Sequence, residues 1–192
     1  MTLTDHSIVR PLHTVEELFD LLGRSARHSE SDDEAPTRMG ILSHGLQCAH
    51  VLASHAPDDV EMQIAGLVHD LGHVAVPDDV DGHGRHGRVL FEELLGERVA
   101  DLVELHVPAK RYLVTVEEQY AAALSDGSVR TLALQGGSMT PDEVTAFEAE
   151  PRHQEAIVLR RADEAAKVPV RRVPGLDHWR PIVKQFVARL NA

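Results

Sequence analysis

The segment Leu67-Val68-His69-Asp70-Leu71-Gly72-His73 places an imidazole beside a carboxylate at the end of an apolar stretch. Adjacent residues of a helix point about 100° apart, so His69 and Asp70 lie on different faces. Both can still reach a metal ion beside the helix end, and the two oxygens of the aspartate can bridge two cations. A single His-Asp pair is common, and alone it is more often a feature of a helix end than a metal site.

Other histidines and another aspartate lie in apolar or turn surroundings, at His44, His86, His106 and Asp163. Each has an ordinary interpretation alone, as a hydrogen-bonded buried histidine, a loop residue or half of an ion pair. Burying all of them unpaired would cost on the order of several kcal/mol per charged group. Metal ions remove that cost, because they offset carboxylate charge and occupy imidazole lone pairs. The combined pattern therefore indicates a metal centre.

Lys110 follows His106 at a spacing of one helical turn, which places both side chains on one side of a helix. Lys110 and Arg111 could also be solvated basic residues near a helix end, where they favour the helix dipole. The chain has 19 Lys and Arg against 31 Asp and Glu, a net charge of −12. In such an acidic chain, basic residues beside a metal pocket indicate an anionic ligand.

The composition suits one globular domain, with 192 residues, 43% hydrophobic and 26% charged. The acidic balance argues against general nucleic-acid binding, and the single cysteine, Cys48, rules out an internal disulfide. No apolar run approaches the roughly 18 residues of a membrane span. Met1–Arg10 lacks the pattern of a signal peptide. We therefore expect a cytoplasmic protein that binds neither nucleic acid nor membranes.

Hydrophobic periodicity predicts helices almost throughout, with capping patterns at Thr14 and Thr140. The stretch from His73 to Gly87 is predicted to be a loop, and Ser125-Asp126-Gly127-Ser128 interrupts the helical pattern. We expect one all-α domain over residues 1–192. Its residues 1–37 form an N-terminal helix and an acidic loop or lid, and its residues 38–192 form the metal-binding core. The predicted core and C-terminal helices lie near 39–54, 59–71, 86–95, 97–107, 116–124, 153–166 and 177–190.

The order His44, His69-Asp70 and Asp163 resembles the ligand order of the HD-domain superfamily, an all-α fold of metal-dependent phosphohydrolases and a few oxygenases. Over roughly residues 40–180 the chain is more closely similar to the mixed-valent diiron oxygenases that cleave the carbon–phosphorus bond of 2-amino-1-hydroxyethylphosphonate. The matching stretches are Ser43–Ala49, Leu67–His73, His106–Val114, Leu124–Asp126, Thr131–Leu132, Gln135–Gly137 and Arg160–Glu164.

The resemblance implies an HD-domain helical bundle that holds two iron ions, Fe(II) and Fe(III). In this assignment Asp70 bridges the irons and is catalytic. The first iron is completed by His44, His69 and Asp163, and the second by His86 and His106. His83 is the alternative to His86, which we prefer because an apolar helical pattern begins there. Implied substrate-binding residues are His73, Lys110, Ser128, Thr131, Gln135 and Arg160, of which His73 and Lys110 are also catalytic.

The implied reaction cleaves a 1-hydroxyalkylphosphonate with O₂ to give phosphate and a carboxylate, as in organophosphonate catabolism. The partners are therefore a small anionic phosphonate and O₂, and the oligomeric state is open between a monomer and a weak dimer. The family's oxygenases carry a tyrosine and a glutamate shortly before the first ligand, whereas Glu34–Leu42 contains no tyrosine.

Two other functions compete with this interpretation. An HD-type phosphohydrolase acting on a small phosphate ester would need only His44, His69, Asp70 and Asp163. A metal-stabilised sensor or accessory subunit would hold fully coordinated ions without an open position. The Lys110 stretch and Gln135-Gly136-Gly137 favour the oxygenase.

Overall fold

The computed structural model describes residues 9–28 and 39–192, which form helices and no β-strand. This confirms the predicted all-α class. The acidic loop or lid expected before residue 38 lies largely outside the described residues. The helices are α1 Val15–Ser25, α2 Ile41–His55, α3 Val60–Val68, α4 Gly72–Ala75, α5 His83–Leu95, α6 Glu97–Val116, α7 Glu118–Ala122, α8 Asp126–Leu134, α9 Pro141–Glu148, α10 His153–Ala165 and α11 Leu176–Leu190.

The two predicted capping boxes are confirmed. Thr14 accepts the amide hydrogen of Glu17 while the Glu17 carboxylate accepts that of Thr14, and Thr140 and Glu143 repeat this arrangement. Each pair satisfies amide groups that a helix start otherwise leaves without partners. These sequence signals therefore fix the starts of α1 and α9.

Two helix boundaries and one additional helix depart most from the predictions. Helix α5 already begins at His83, inside the predicted loop, and α6 continues through Pro108 to Val116 instead of ending near residue 107. Helix α8 was not predicted, because Ser-Asp-Gly-Ser resembles a turn. Ser125 there accepts the amide hydrogen of Ser128 and starts a helix.

The hydrophobic core joins the helices that carry the candidate ligands. Helix α6 packs against α3, α5 and α10, and α2 packs against α3 and α10. Fully buried side chains between them include Leu52, Ile64, Phe91, Leu102 and Leu159. Five well-packed helices therefore surround the point at which the polar residues meet.

No helix in the described ranges combines the length and the apolar character needed to cross a membrane.

Arg98 links the start of α3 to α6 and α10 through carboxylates. Its guanidinium donates two hydrogen bonds of 2.7 Å to Asp59, one of 3.0 Å to Glu61 and one of 2.6 Å to Glu155. We expect Arg98→Met to lower the free energy of unfolding by about 1–2 kcal/mol, because it leaves three carboxylates facing one another. Urea denaturation measures this loss.

This loss is expected to depend on pH. The hydrogen bond from Arg98 lowers the pKa of Asp59, so the bond stabilises the fold above the unfolded pKa of about 4 and is lost as the pH falls through the lower folded value. The difference between wild type and Arg98→Met should therefore shrink below about pH 4. Arg161→Met removes an exposed pair with Glu117 and a long contact with the Tyr120 ring and should cost less than about 1 kcal/mol. An equal loss in both variants would contradict the prediction.

Candidate metal centre and anion pocket

Six buried side chains from five segments converge inside the bundle. His69 and Asp70 directly follow the last residue of α3, and the others come from α2, α5, α6 and α10. Each is less than a tenth exposed. The converging residues are His44, His69, Asp70, His83, His106 and Asp163.

Two glycines allow the helices that carry these residues to approach closely. A side chain on Gly45 would lie 2.4 Å from the carbonyl oxygen of Leu67, so the glycine lets α2 approach the end of α3. A side chain on Gly72 would lie 2.0 Å from the carbonyl oxygen of His83. Because neither backbone contact leaves room for a methyl group, these glycines bring His44 and His83 to the centre.

The two carboxylate oxygens of Asp70 face two different groups of imidazoles. Asp70 Oδ2 lies 3.2 Å from His69 Nε2 and 3.5 Å from His44 Nε2. Asp70 Oδ1 lies 3.5 Å from His83 Nε2 and 3.6 Å from His106 Nε2. Asp163 joins only the first group, with its Oδ1 2.9 Å from His44 Nε2. This arrangement suits a carboxylate that bridges two cations.

The hydrogen bonds of three histidines leave their Nε2 atoms facing the centre, where a metal ion would bind them and displace any proton they carry. The Nδ1 atoms of His69, His83 and His106 lie 2.9, 2.7 and 2.5 Å from the carbonyl oxygens of Gly66, Val80 and Val103. Since a carbonyl oxygen only accepts, each Nδ1 carries the hydrogen, and the Nε2 of a neutral ring then carries a lone pair. Metal-binding histidines commonly have this backbone contact.

The positions of these lone pairs fit a cation. His83 Nε2 and His106 Nε2 lie 2.9 Å apart, so two acceptors would face each other without an ion between them. The buried His69 Nε2 has no hydrogen-bond partner among the described residues, although Asp70 Oδ2 is near. Groups of these residues place ligand atoms within 4.8 Å of one another. The buried histidines and aspartates therefore form a site suited to metal binding.

The pKa values of the histidines agree with this interpretation. Burial lowers the pKa of His83 well below its usual value and also lowers the pKa of His106, so both rings are neutral. Burial acts in the same direction on His69, but the negative charges of Asp70 and Asp163 outweigh it and raise the pKa of His69 to about 9. His83 and His106 thus offer neutral ligands, whereas the surroundings of His69 favour a positive charge.

Both aspartates stay ionised although burial favours their neutral forms. The charge of His69 and hydrogen bonds from the surrounding histidines hold the pKa of Asp70 well below its usual range. Arg160 and Lys167 do the same for the pKa of Asp163. Ionised carboxylates are the form that coordinates cations.

The structure does not bring His86 to this centre, and the place expected for it is taken by His83. His86 Nε2 instead lies 2.9 Å from the partly exposed Asp79 Oδ2. The cause is the earlier start of α5, which turns His83 inward with Gly87, Leu90 and Leu94. The spacings from His83 through these residues are four, three and four, and this pattern in the sequence could have identified it.

A cavity beside the metal centre is lined by cations and hydrogen-bonding groups. Lys110 Nζ is buried, lies 2.9 Å from Thr131 Oγ1 and donates to it. Burial lowers the pKa of Lys110 to about 7, and the charges of Arg160 and Lys167 add to this effect. An anion bound in the cavity would raise the pKa of Lys110 and favour its charged ammonium form. The lining residues other than the candidate ligands are His73, Val107, Lys110, Thr131, Gln135, Arg160 and Lys167.

The predicted substrate-binding residues differ in their positions. His73, Lys110, Thr131, Gln135 and Arg160 line the cavity, and the ring of His73 stacks on that of His83 with centroids 3.8 Å apart.

Ser128 does not line the cavity. Its buried hydroxyl donates to Glu164 Oε2 at 2.7 Å and therefore has no hydrogen left for a substrate in this arrangement.

Lys167 lines the cavity and was missed in the sequence. Its Nζ lies 3.4 Å from Asp163 Oδ1 and donates to Ser128 Oγ at 2.9 Å. Its position one helical turn after Asp163 is the signal that could have revealed it. Lys110, Arg160 and Lys167 therefore give the cavity three basic side chains.

The HD-domain family profile matches residues 41–167, a range that contains the whole cluster of candidate ligands. A hydroxymethylphosphonate dioxygenase from Gimesia maris is 39% identical over 180 residues, which cover 88% of this chain and 86% of that protein. A 1-hydroxy-2-(trimethylamino)ethylphosphonate dioxygenase (glycine-betaine-forming) from Leisingera caerulea is 33% identical over 155 residues, 77% of this chain and 79% of that protein. The chain is thus similar over most of its length to two proteins named as phosphonate dioxygenases.

Proposed function

The chain belongs to the HD-domain family, and from this premise we propose that it is a diiron dioxygenase that cleaves the carbon–phosphorus bond of a small 1-hydroxyalkylphosphonate. The observation that carries the proposal is the Asp70 carboxylate, whose two oxygens face separate groups of histidines beside a basic cavity. The similarity to two phosphonate dioxygenases supports it. The products are phosphate and a carboxylate.

Two iron ions fit the proposed ligands, which are divided into two groups that share Asp70. His44, His69 and Asp163 would hold one ion, and His83 and His106 would hold the other. When bound, such a pair supplies Lewis acidity toward the substrate oxygens and the redox chemistry that uses O₂. The surrounding core keeps the imidazoles and the ionised carboxylates in fixed positions.

The basic cavity is the proposed binding site of the phosphonate. Lys110, Arg160 and Lys167 surround it, and each can donate charge-assisted hydrogen bonds to an anionic oxygen. Arg160 is fixed for this role, because its Nε donates to Tyr120 at 2.7 Å and its Nη1 donates to Asp163. Placing the phosphonate among these cations directs the neighbouring C1 carbon and its hydroxyl toward the metal centre.

Gln135 is proposed to hold the substrate through its side-chain oxygen. Its Oε1 is buried and has no hydrogen-bond partner among the described residues. A buried amide oxygen without a partner costs about 1–3 kcal/mol, and the hydroxyl of a substrate in the adjoining cavity would supply a donor. Thr131 then completes the polar wall, since it already accepts from Lys110.

The proposed reaction is tested by measuring O₂ consumption. Iron-loaded protein, prepared with Fe(II) and ascorbate, is given hydroxymethylphosphonate in an oxygen electrode. We expect one phosphate and one formate for each O₂ consumed. Phosphate release from a phosphate ester under strict anaerobiosis, with no O₂ uptake on any hydroxyphosphonate, would instead establish the phosphohydrolase.

Lys110→Met is expected to weaken substrate binding more than it slows turnover. The methionine fills a similar volume but removes the charge and the hydrogen bond to Thr131. A lost charge-assisted hydrogen bond should raise KM about tenfold or more. Steady-state O₂ uptake at varied phosphonate measures both constants. Lys184→Met, which removes an exposed pair with Glu16, is the control, and an unchanged KM in Lys110→Met would contradict the assignment.

A further inference from the structure

Helix α8 is attached to the rest of the protein by polar contacts. It carries Thr131, and Gln135 follows its last residue, so it forms one wall of the cavity. None of its residues belongs to the hydrophobic core among the described residues. Only Ser128 of α8 is buried, while Val129 and Leu134 are more than half exposed. The position of this wall therefore depends on a few hydrogen bonds.

The Glu164 carboxylate accepts hydrogen bonds from both sides of the junction between α8 and α10. Its Oε1 accepts the amide hydrogen of Ser125, the residue that caps α8, at 2.7 Å. Its Oε2 accepts the Ser128 hydroxyl at 2.7 Å and also the Nη2 of Arg160. One side chain thus contacts both the start of α8 and the guanidinium that lines the cavity.

We infer that Glu164 is a positioning residue, which docks α8 onto α10 and orients Arg160 for the phosphonate without touching the substrate. Glu164 does not line the cavity, so it acts through Ser125, Ser128 and Arg160. With Ser128 held in place, Thr131 lies about one turn further along α8 and accepts a hydrogen bond from Lys110. The role in substrate binding rests on the proposed function, whereas the docking of α8 does not.

Loss of Glu164 should loosen α8 without unfolding the bundle. Its own helix is held by Ala156, Leu159 and Ala162, which are buried in the core. Glu164→Ala removes all three accepted hydrogen bonds. Glu164→Gln keeps one amide oxygen as an acceptor but loses the charge that pairs with Arg160. The two variants therefore separate docking through hydrogen bonds from docking through charge.

Hydrogen exchange of the iron-free protein tests the docking directly. We expect the amides of residues 126–134 to exchange about tenfold faster in Glu164→Ala and less than that in Glu164→Gln, as fits the loss of one or more charge-assisted hydrogen bonds. Glu117→Gln is the matched control, because Glu117 accepts from Arg161 of the same helix but is exposed. Unchanged exchange in folded Glu164→Ala, or equal acceleration in the control, would overturn the inference.

Steady-state kinetics of the iron-loaded variants tests the effect on the substrate. We expect KM for hydroxymethylphosphonate to rise about tenfold in Glu164→Ala while kcat falls less, because the groups that hold the phosphonate are displaced. A fall in kcat at constant KM would overturn the positioning role. If none of the hydroxyphosphonates tested causes the wild type to consume O₂, the proposed function fails. The exchange experiment still decides how α8 is attached.

Discussion

Asp70→Ala is expected to lose both metal ions and all measurable O₂ uptake. The substitution removes the one carboxylate whose oxygens face both groups of histidines. Each ion would lose a negatively charged ligand, which leaves one ion with the neutral imidazoles of His83 and His106 and the other with Asp163 as its single carboxylate. We expect activity to fall by at least about 1,000-fold, corresponding to about 4 kcal/mol. Metal analysis after desalting gives the iron content of each chain.

Asp163→Ala is the control, because Asp163 faces one group of histidines whereas Asp70 faces both. Of the four candidate ligand histidines, Asp163 lies near His44 and His69, so its loss should remove the ion of that group and leave the ion held by His83 and His106. Circular dichroism confirms that both variants remain helical. An Asp70→Ala protein that keeps two irons would show that the carboxylate does not bridge.

His83→Ala and His86→Ala are expected to behave very differently although the residues are three positions apart. His83→Ala removes a buried ligand beside Asp70 and His106. It should lose one iron per chain and about 100-fold or more of the activity, since even partners outside the ligand set of a metal are worth about 10–100-fold.

His86→Ala should keep both irons and stay within about threefold of wild-type activity, because it breaks only a partly exposed pair with Asp79. Iron content and O₂ uptake of the two purified variants decide between the residues. If His86→Ala loses iron while His83→Ala retains two ions, the ligand assignment made from the structure is wrong.

The fold was accessible from the sequence because its signals are local. Capping boxes at Thr14 and Thr140 and the periodic apolar residues depend on neighbours within one or two turns. The HD-domain resemblance added the ligands that lie in distinctive stretches, such as His69 and Asp70. His69 and Asp70 could therefore be identified without knowing how the helices pack.

The second group of ligands was harder to predict, because it depends on where α5 begins. His83 follows a stretch with several glycines and aspartates that is typical of a loop, and no side chain caps α5. Close packing of Gly72 against the His83 backbone fixes this boundary. That contact joins two segments that the sequence alone does not place together. Tertiary packing therefore selects His83 over His86, and the helical spacing of His83 from Gly87 and Leu90 is a weaker signal within the sequence.

The polar attachment of α8 separates the recognition of ligands from the stability of the bundle. Because the outward residues Val129 and Leu134 fill no space in the interior, changes on this helix leave the packing of the core intact. Substitutions there can reshape one wall of the cavity at little thermodynamic cost. Natural variation and directed evolution of substrate range should therefore concentrate on this helix, while the helices that carry the histidines tolerate few changes.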